Sequence, residues 1–240
     1  MPSSERRSRR SRAGRVTKRL EAAYGSPRLG NKDQPLDELI FIVLSQMTTG
    51  PSYERVFERL KTQLPSWDEL ESFSVSRIAT VIGDAGLVNQ KAPRLLAIAR
   101  RLKKDFGRVT LDDLHDMPDA DCLAYLRSLP GVGIKTAKCV MMYSLGKSVL
   151  PVDTHTARLG LRLGLVDNAL SRENLAAGLE ESIAPGDRYA FHVNAVAHGR
   201  QVCRATHPRC GECPIRSMCP ARLTFTGPVG ALGCEESRSE

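Results

Sequence analysis

The chain predicts an all-α fold, and three observations carry that prediction. Apolar residues recur at helical spacing in many short segments. No stretch shows the apolar–polar alternation of a half-buried strand. A Pro-Gly-Val-Gly turn, Pro130 to Gly133, joins two of the helical segments directly. With 240 residues, 41% of them hydrophobic, the chain can bury a sizeable core in one large or two small domains.

Each element has its own local reason. Met1 to about Arg15 is rich in Ser and Arg with no apolar face, and reads as a disordered basic tail. Val16 to Tyr24 reads as a short helix, and Gly25 to Pro35 as a loop. Asp37 to about Met47 reads as a buried helix through Leu39, Ile40, Val43 and Leu44, ended by Thr48-Thr49-Gly50-Pro51. Tyr53 to Leu60 follows, then a short helix capped by Ser66, then Val75 to Ile82. Gln90 to Phe106 is a long amphipathic helix closed by Gly107, and Thr110 with Asp113 resembles a capping box. Asp119 to Ser128 leads into the turn, and Ala137, Val140, Met141 and Leu145 mark the helix that leaves it. Beyond Asp153, helices are expected to Leu163, over Ser171 to Ile183, and from Arg188 to about Val202. Ala221 to Glu240 reads as poorly ordered.

The turn is the organising feature. Pro130 stops the helix before it. Gly131 and Gly133 permit a tight bend whose backbone can approach a ligand closely. A glycine turn that opens a helix presents backbone N–H groups and the positive end of the helix dipole, which suits a phosphate. Lys135 lies in the first turn of that helix, where the dipole and partial desolvation favour the neutral, nucleophilic amine. Asp153 stands eighteen positions later, before another helical run, where it can cap and also carry charge. A structural turn with an exposed lysine and a capping aspartate is the plainer alternative.

Seven cysteines are present, and four of them, Cys203, Cys210, Cys213 and Cys219, fall in a C-x6-C-x2-C-x5-C pattern. Such spacing in a chain without a secretory segment favours metal over disulfides. Zinc sites come as two close pairs, whereas a cubane takes one thiolate per iron and tolerates wider spacing. Spacing alone tilts modestly from zinc towards iron and sulfur. Cys122 and Cys139 sit on helices as core residues; Cys234 has no assignment.

The net charge is +8, which points to a polyanionic partner. Eight basic residues and one acid, Glu5, fall in the first nineteen positions, so the remainder is close to neutral. Any polyanion surface on the folded body must come from local clustering. Aromatic residues make up 5%, too few for a stacking platform that holds single strands without sequence preference. No apolar run is long enough to cross a membrane.

Leu129-Pro130-Gly131-Val132-Gly133 with Lys135-Thr136-Ala137, together with Val152-Asp153-Thr154-His155, resembles the helix-hairpin-helix DNA glycosylases, specifically the endonuclease III family, over roughly Gly25 to Leu223. The cysteine spacing resembles that family's cluster loop and adds strongly to the iron–sulfur reading. The resemblance implies two domains: a helical barrel over 28–147 containing the hairpin, and a cluster domain built from 16–27 and 148–223, with flexible residues 1–15 and 224–240 outside them. DNA would bind in a cleft between the domains, with Lys135 and Asp153 facing each other across it. The implied activity is base-excision repair as a glycosylase and AP lyase: a damaged base, an oxidised pyrimidine, is flipped out, and Lys135 forms a Schiff base with the sugar.

The resemblance also implies further roles. Gly131, Val132 and Gly133 would grip a flanking phosphate through their backbone. Leu87, in Gly86-Leu87-Val88-Asn89, would wedge into the hole left by the flipped base. The family commonly places glutamine in the loop after the first barrel helix; aligned on Leu44-Ser45, Met47 takes that place and Gln46 stands one residue early. His155 would touch phosphate or pack. Arg204 and Arg209 would hold phosphates from the cluster loop, and a 4Fe-4S cluster would sit on the four cysteines. The partner is double-stranded DNA carrying damaged bases or abasic sites, bound by a monomer with no membrane. The location would be cytoplasmic and nucleoid-associated in a bacterium, with organellar targeting by the basic tail as the alternative. Alternatives in function are a monofunctional glycosylase of the same superfamily, disfavoured by the presence of Lys135, and a weakly active or inactive damage-binding paralogue.

Overall fold

The computed structural model describes residues 3–48, 52–167 and 171–224. The stretch read as poorly ordered from Ala221 begins instead in a short 3-10 helix, Pro220–Leu223, and its remainder beyond Thr224, with Cys234, lies outside the described residues, as do Thr49, Gly50 and Pro51. The described residues hold helices and no strand. The chain divides into two compact units, Arg28–Pro151 and Met1–Pro27 with Val152–Glu240. No described helix is long and apolar enough to cross a membrane.

The first helix corrects an expectation. α1 spans Ser3–Tyr24, so most of the stretch read as a disordered tail is helical. Its sequence shows why only at long range. Ala13, Val16, Thr17 and Leu20 are buried at helical spacing, a stripe that composition dominated by Arg and Ser conceals. Arg9 pairs with Asp167 at 2.8 Å and Glu5 at 2.5 Å, and Arg12 donates to the Leu163 carbonyl at 2.9 Å. The helix is thus held by partners some 150 positions away.

The Arg28–Pro151 unit is built on α2 (Pro35–Ser45), α3 (Ser52–Thr62), α4 (Val75–Val81), α5 (Val88–Phe106), α6 (Asp119–Ser128) and α7 (Ile134–Tyr143). α2 is its central rod: Leu39, Ile40, Val43 and Leu44 are buried, and it packs against α3, α5 and α7. Each fully buried leucine or isoleucine in that core contributes about 1.5–3 kcal/mol. α2 ends at Ser45, two residues before the expected Met47, because Gln46 turns to extended backbone and Met47 to a left-handed one. Trp67–Ser72 is a 3-10 helix, whose Ser66 side chain makes no capping bond, whereas Ser74 caps α4 by accepting from the Arg77 amide. Thr110 accepts from the Asp112 amide and a short 3-10 turn follows, so the expected capping box is a smaller local turn.

The other unit holds α8 (Thr154–Arg162), α9 (Arg172–Ser182) and α10 (Arg188–Gln201); α1 packs against α9 and α10, and α8 packs against the same two helices. α10 is buried along most of its length, from Phe191 to Gly199. Gly160 and Gly199 allow close helix contact: a Cβ at Gly160 would overlap Leu179, and one at Gly199 would overlap His155.

Candidate active site and cysteine centre

The hairpin runs from Leu129 to Gly133 between α6 and α7. The Val132 amide donates to the Leu129 carbonyl at 3.1 Å and closes the turn. Val132 buries its side chain in the core, so only its backbone faces outward. Gly131 has a φ of 72° and lies against the guanidinium of Arg94, where any Cβ would overlap it. The positive φ favours glycine there, and a side chain would also displace the Arg94 guanidinium. Gly133 differs: its backbone is extended, it is the N-cap of α7, and a Cβ there would meet open space.

α7 starts with no side-chain cap and no acidic residue in its first turn. Its first amides have no partner within the helix. Lys135 stands in that turn and is exposed. Its charge reaches Glu38, a fully buried carboxyl on α2. Burial pushes the Glu38 carboxyl up, while the Lys32 amide at 2.7 Å, the Asn31 side chain at 2.5 Å and the charges of Lys135 and Lys32 oppose it. Sequence reading missed Glu38; its position among the apolar residues of α2 was the signal.

Asp153 is the N-cap of α8 and accepts from the Thr156 amide at 2.7 Å. Burial pushes its carboxyl up, but the charge of His192, the amide and hydroxyl of Thr156 and the charge of His155 together hold it below the ordinary carboxylate value. Asp153 is consequently a settled anion at neutral pH. His155 packs on Gly199 and its Nδ1 lies 2.9 Å from Arg158 Nη2. Burial pushes the His155 imidazole down, chiefly against the charge of Asp153.

Met47 and Leu87 lie on loops of the Arg28–Pro151 unit. Met47 is 85% exposed and Leu87 46%, and both have positive φ, 52° and 48°. Gln46 is half-buried, its Oε1 accepting from Arg94 Nη1 at 2.9 Å.

The four clustered cysteines line one cavity together with His198 and Arg162. Burial pushes the Cys213 thiol up to about 11, with the charges of Cys203, Cys219 and Cys210 adding to it. Burial also raises Cys219. Among the described residues no three His, Cys, Asp or Glu side chains converge tightly enough to hold one metal ion. The cavity is supplied with donors. Arg162 Nη1 donates to Cys203 Sγ at 3.2 Å and to the Arg204 carbonyl at 2.7 Å. His198 Nε2 lies 3.6 Å from Cys213 Sγ, and its Nδ1 lies 2.8 Å from the Tyr24 hydroxyl. Arg158 Nε donates to the Cys203 carbonyl at 2.9 Å. Arg158 and Arg162 lie one turn apart on α8, so the helix that Asp153 caps also carries the cysteine loop. Arg204 and Arg209 are exposed, and Arg209 pairs with Glu212 at 3.7 Å. Sequence reading missed Tyr24, Arg158 and Arg162, whose partners lie far away in the chain.

Residues 40–185 match a family described as HhH-GPD superfamily base excision DNA repair protein. That is a class defined by the helix-hairpin-helix fold and by the repair of DNA through base excision. Endonuclease III of Thermotoga maritima is 31% identical over 194 residues, which cover 80% of this chain and 86% of that protein. The chain belongs to the HhH-GPD superfamily and, within it, to the endonuclease III family. DEMETER-like protein 2 of Arabidopsis thaliana is 30% identical over 170 residues, 64% of this chain; the chain spans only 13% of that protein's length. A solved endonuclease III–DNA covalent intermediate shares the fold at a TM-score of 0.77 and 23% identity, covering 91% of this chain and 99% of that one.

Proposed function

We propose that this chain is a bifunctional DNA glycosylase and AP lyase of base-excision repair, acting on oxidised pyrimidines in double-stranded DNA. One observation carries the reading: an exposed Lys135 stands in the first turn of α7, directly after a hairpin whose Gly131 holds a left-handed backbone. The backbone of Gly131 to Gly133 offers amides and a positive helix end to a phosphate. A base within a duplex is out of reach and is extruded first. Met47 and Leu87 fill the vacated space.

In the chemical step, Lys135 Nζ bonds to the anomeric carbon and gives up a proton while the bond from that carbon to the base breaks. The electron pair leaves with the base, which takes up a proton. Asp153, held ionised by its surroundings, offsets positive charge on the sugar. A carboxylate held below its usual value is a weak proton acceptor, so its charge is its main contribution. Opening of the sugar ring gives an imine to Lys135. Loss of a proton from the adjacent carbon then expels the 3′ phosphate oxygen and cuts the strand.

The cysteine cavity suits a 4Fe-4S cluster. A cubane spreads four irons over its corners and binds one thiolate at each, which needs a wider ring of sulfur than one tetrahedral ion. Clustered, half-buried thiols beside Arg162 and His198 fit that demand. Cys203, Cys210, Cys213 and Cys219 would hold the group, and it would supply cohesion to the loop bearing Arg204 and Arg209 rather than chemistry at the sugar.

Borohydride trapping tests the reading. Wild-type protein on duplex containing an oxidised pyrimidine is expected to give a covalent protein–DNA adduct. Lys135→Ala is expected to abolish the adduct with DNA affinity largely kept. Base release without strand cutting or adduct would instead mark a monofunctional glycosylase, and binding without base release a damage-binding paralogue.

A further inference from the structure

α5 carries a lysine where its pattern calls for an apolar side chain. Lys91 shares a stripe with Leu95, Ile98 and Leu102 and is only 1% exposed. Its Nζ donates to the Leu44 carbonyl at 2.7 Å, the Ala85 carbonyl at 2.5 Å and Thr48 Oγ1 at 2.7 Å. Those three bonds use all three ammonium hydrogens. Leu44 lies at the carbonyl end of α2, where the helix dipole favours a cation. Ala85 belongs to a different segment, two residues before Leu87. Thr48 Oγ1 donates in turn to the Ala85 carbonyl. The two segments also touch through backbone: a Cβ at Gly86 would stand 3.4 Å from the Met47 carbonyl.

The segments so joined each hold an exposed apolar side chain, Met47 on one and Leu87 on the other, two of five such large side chains among the described residues. Both sit in the left-handed region, which is costly for bulky side chains and persists only where the surroundings enforce it. Lys91 Nζ reaches both segments beside those positions, at Leu44 and Thr48 on one and Ala85 on the other. An apolar side chain in its place would remove the ammonium from two buried carbonyls and leave the single hydrogen of the Thr48 hydroxyl to serve both. The planar fork of an arginine does not direct three donors around a single nitrogen as an ammonium does.

We propose that Lys91 is a positioning residue that locks the Met47 loop and the Leu87 loop into one rigid double wedge for the space vacated by the extruded base. The inference rests on the reading of Met47 and Leu87 as gap fillers. Lys91 touches no DNA; it acts through the two loops.

The test is a double-mutant cycle on full-length protein, reading affinity for duplex with a stable tetrahydrofuran abasic analogue against undamaged duplex of the same sequence. In otherwise wild-type protein, Met47→Ala and Leu87→Ala are each expected to weaken abasic-site binding. Their combination is expected to depart from the product of the single effects by about fivefold, the size of coupling seen between residues that share a network. In Lys91→Met the single effects are expected to multiply, and the ratio of abasic to undamaged affinity to fall. Should Lys91→Met fail to fold, Thr48→Val removes one acceptor and is expected to reduce the coupling in part. Coupling of full size in these backgrounds overturns the proposal. If instead neither Met47→Ala nor Leu87→Ala alters abasic-site affinity in otherwise wild-type protein, the gap-filling reading falls and takes the proposal with it.

Discussion

Gln46 Oε1 accepts a hydrogen bond from Arg94 Nη1 at 2.9 Å, and the same guanidinium covers Gly131 of the hairpin. Because α2 stops at Ser45, Gln46 lies outside the helix, and a 100° helical offset does not decide where its side chain goes. The hydrogen bond decides instead: the acceptor of Gln46 is engaged by Arg94, while Met47 next to it stands open. A thioether fills space but is a poor reader of a base edge. Cleavage of one oxidised pyrimidine opposite each of the four bases is therefore expected to vary little in wild type. Met47→Gln is expected to raise discrimination, since a well-placed pair of base-edge hydrogen bonds carries about 1–3 kcal/mol. Strong discrimination in wild type, lost only in Gln46→Ala, would show that Gln46 leaves Arg94 on binding and reads the base itself.

The parts of this molecule legible in its sequence are those whose cause is local. Pro130, Gly131 and the apolar run after Gly133 write the hairpin into a few consecutive residues, and Gly107 marks the end of α5 through its own left-handed backbone. Lys91 is visible in the sequence as the polar residue on the stripe of Leu95, Ile98 and Leu102, but its function is not, because its acceptors come from two distant loops. α1 misleads for the same reason. Its local composition is that of a solvated tail, and what orders it is Asp167 and Leu163. The Tyr24–His198 pair that reaches the cysteine cavity spans 174 positions and leaves no local trace.

The helical state of α1 changes the prediction for its charge. Deleting residues 1–15 removes Ala13 from the core and the anchoring of Arg9 and Arg12, and is expected to lower stability by about 1–2 kcal/mol. The charge is better tested at Arg7 and Arg10, which are exposed. Arg7→Ala with Arg10→Ala is expected to keep the thermal midpoint and to flatten the dependence of log affinity on log salt, by about 0.9 for each phosphate that is no longer neutralised. An unchanged slope would mean that this face of α1 does not meet DNA.

The cysteine centre predicts composition. Purified protein is expected to be yellow-brown and to contain iron and acid-labile sulfide, as measured by elemental and sulfide analysis. Zinc without sulfide would overturn the assignment. Cys210→Ser is expected to lose most of the iron and to destabilise the unit that contains it, because metal binding contributes directly to folding. Arg162→Gln removes the donor to Cys203 Sγ and is expected to make the iron more labile to chelators while leaving the cysteines intact.

Asp153 has two separable duties, as cap and as charge, and two substitutions divide them. Asparagine caps a helix about as well as aspartate, whereas alanine does not and costs about 1 kcal/mol. Asp153→Asn is therefore expected to keep most of the stability of α8, and Asp153→Ala to lose it, in thermal or denaturant unfolding. Both remove the charge, so both are expected to lower base release by about 10²- to 10³-fold, the size typical of removing one electrostatic stabiliser of a transition state. The pH dependence follows from the direction of the shift. The folded Asp153 carboxyl lies below its ordinary value, through His192, Thr156 and His155 acting against burial. Its charge-dependent stabilisation is thus fully present above the unfolded value of about 3.9 and is lost as pH falls through the lower, folded value. The stability margin of wild type over Asp153→Asn is expected to hold from neutral pH to about 4 and to close below that. Full activity in Asp153→Asn would leave Asp153 with the cap alone and remove it from the chemistry.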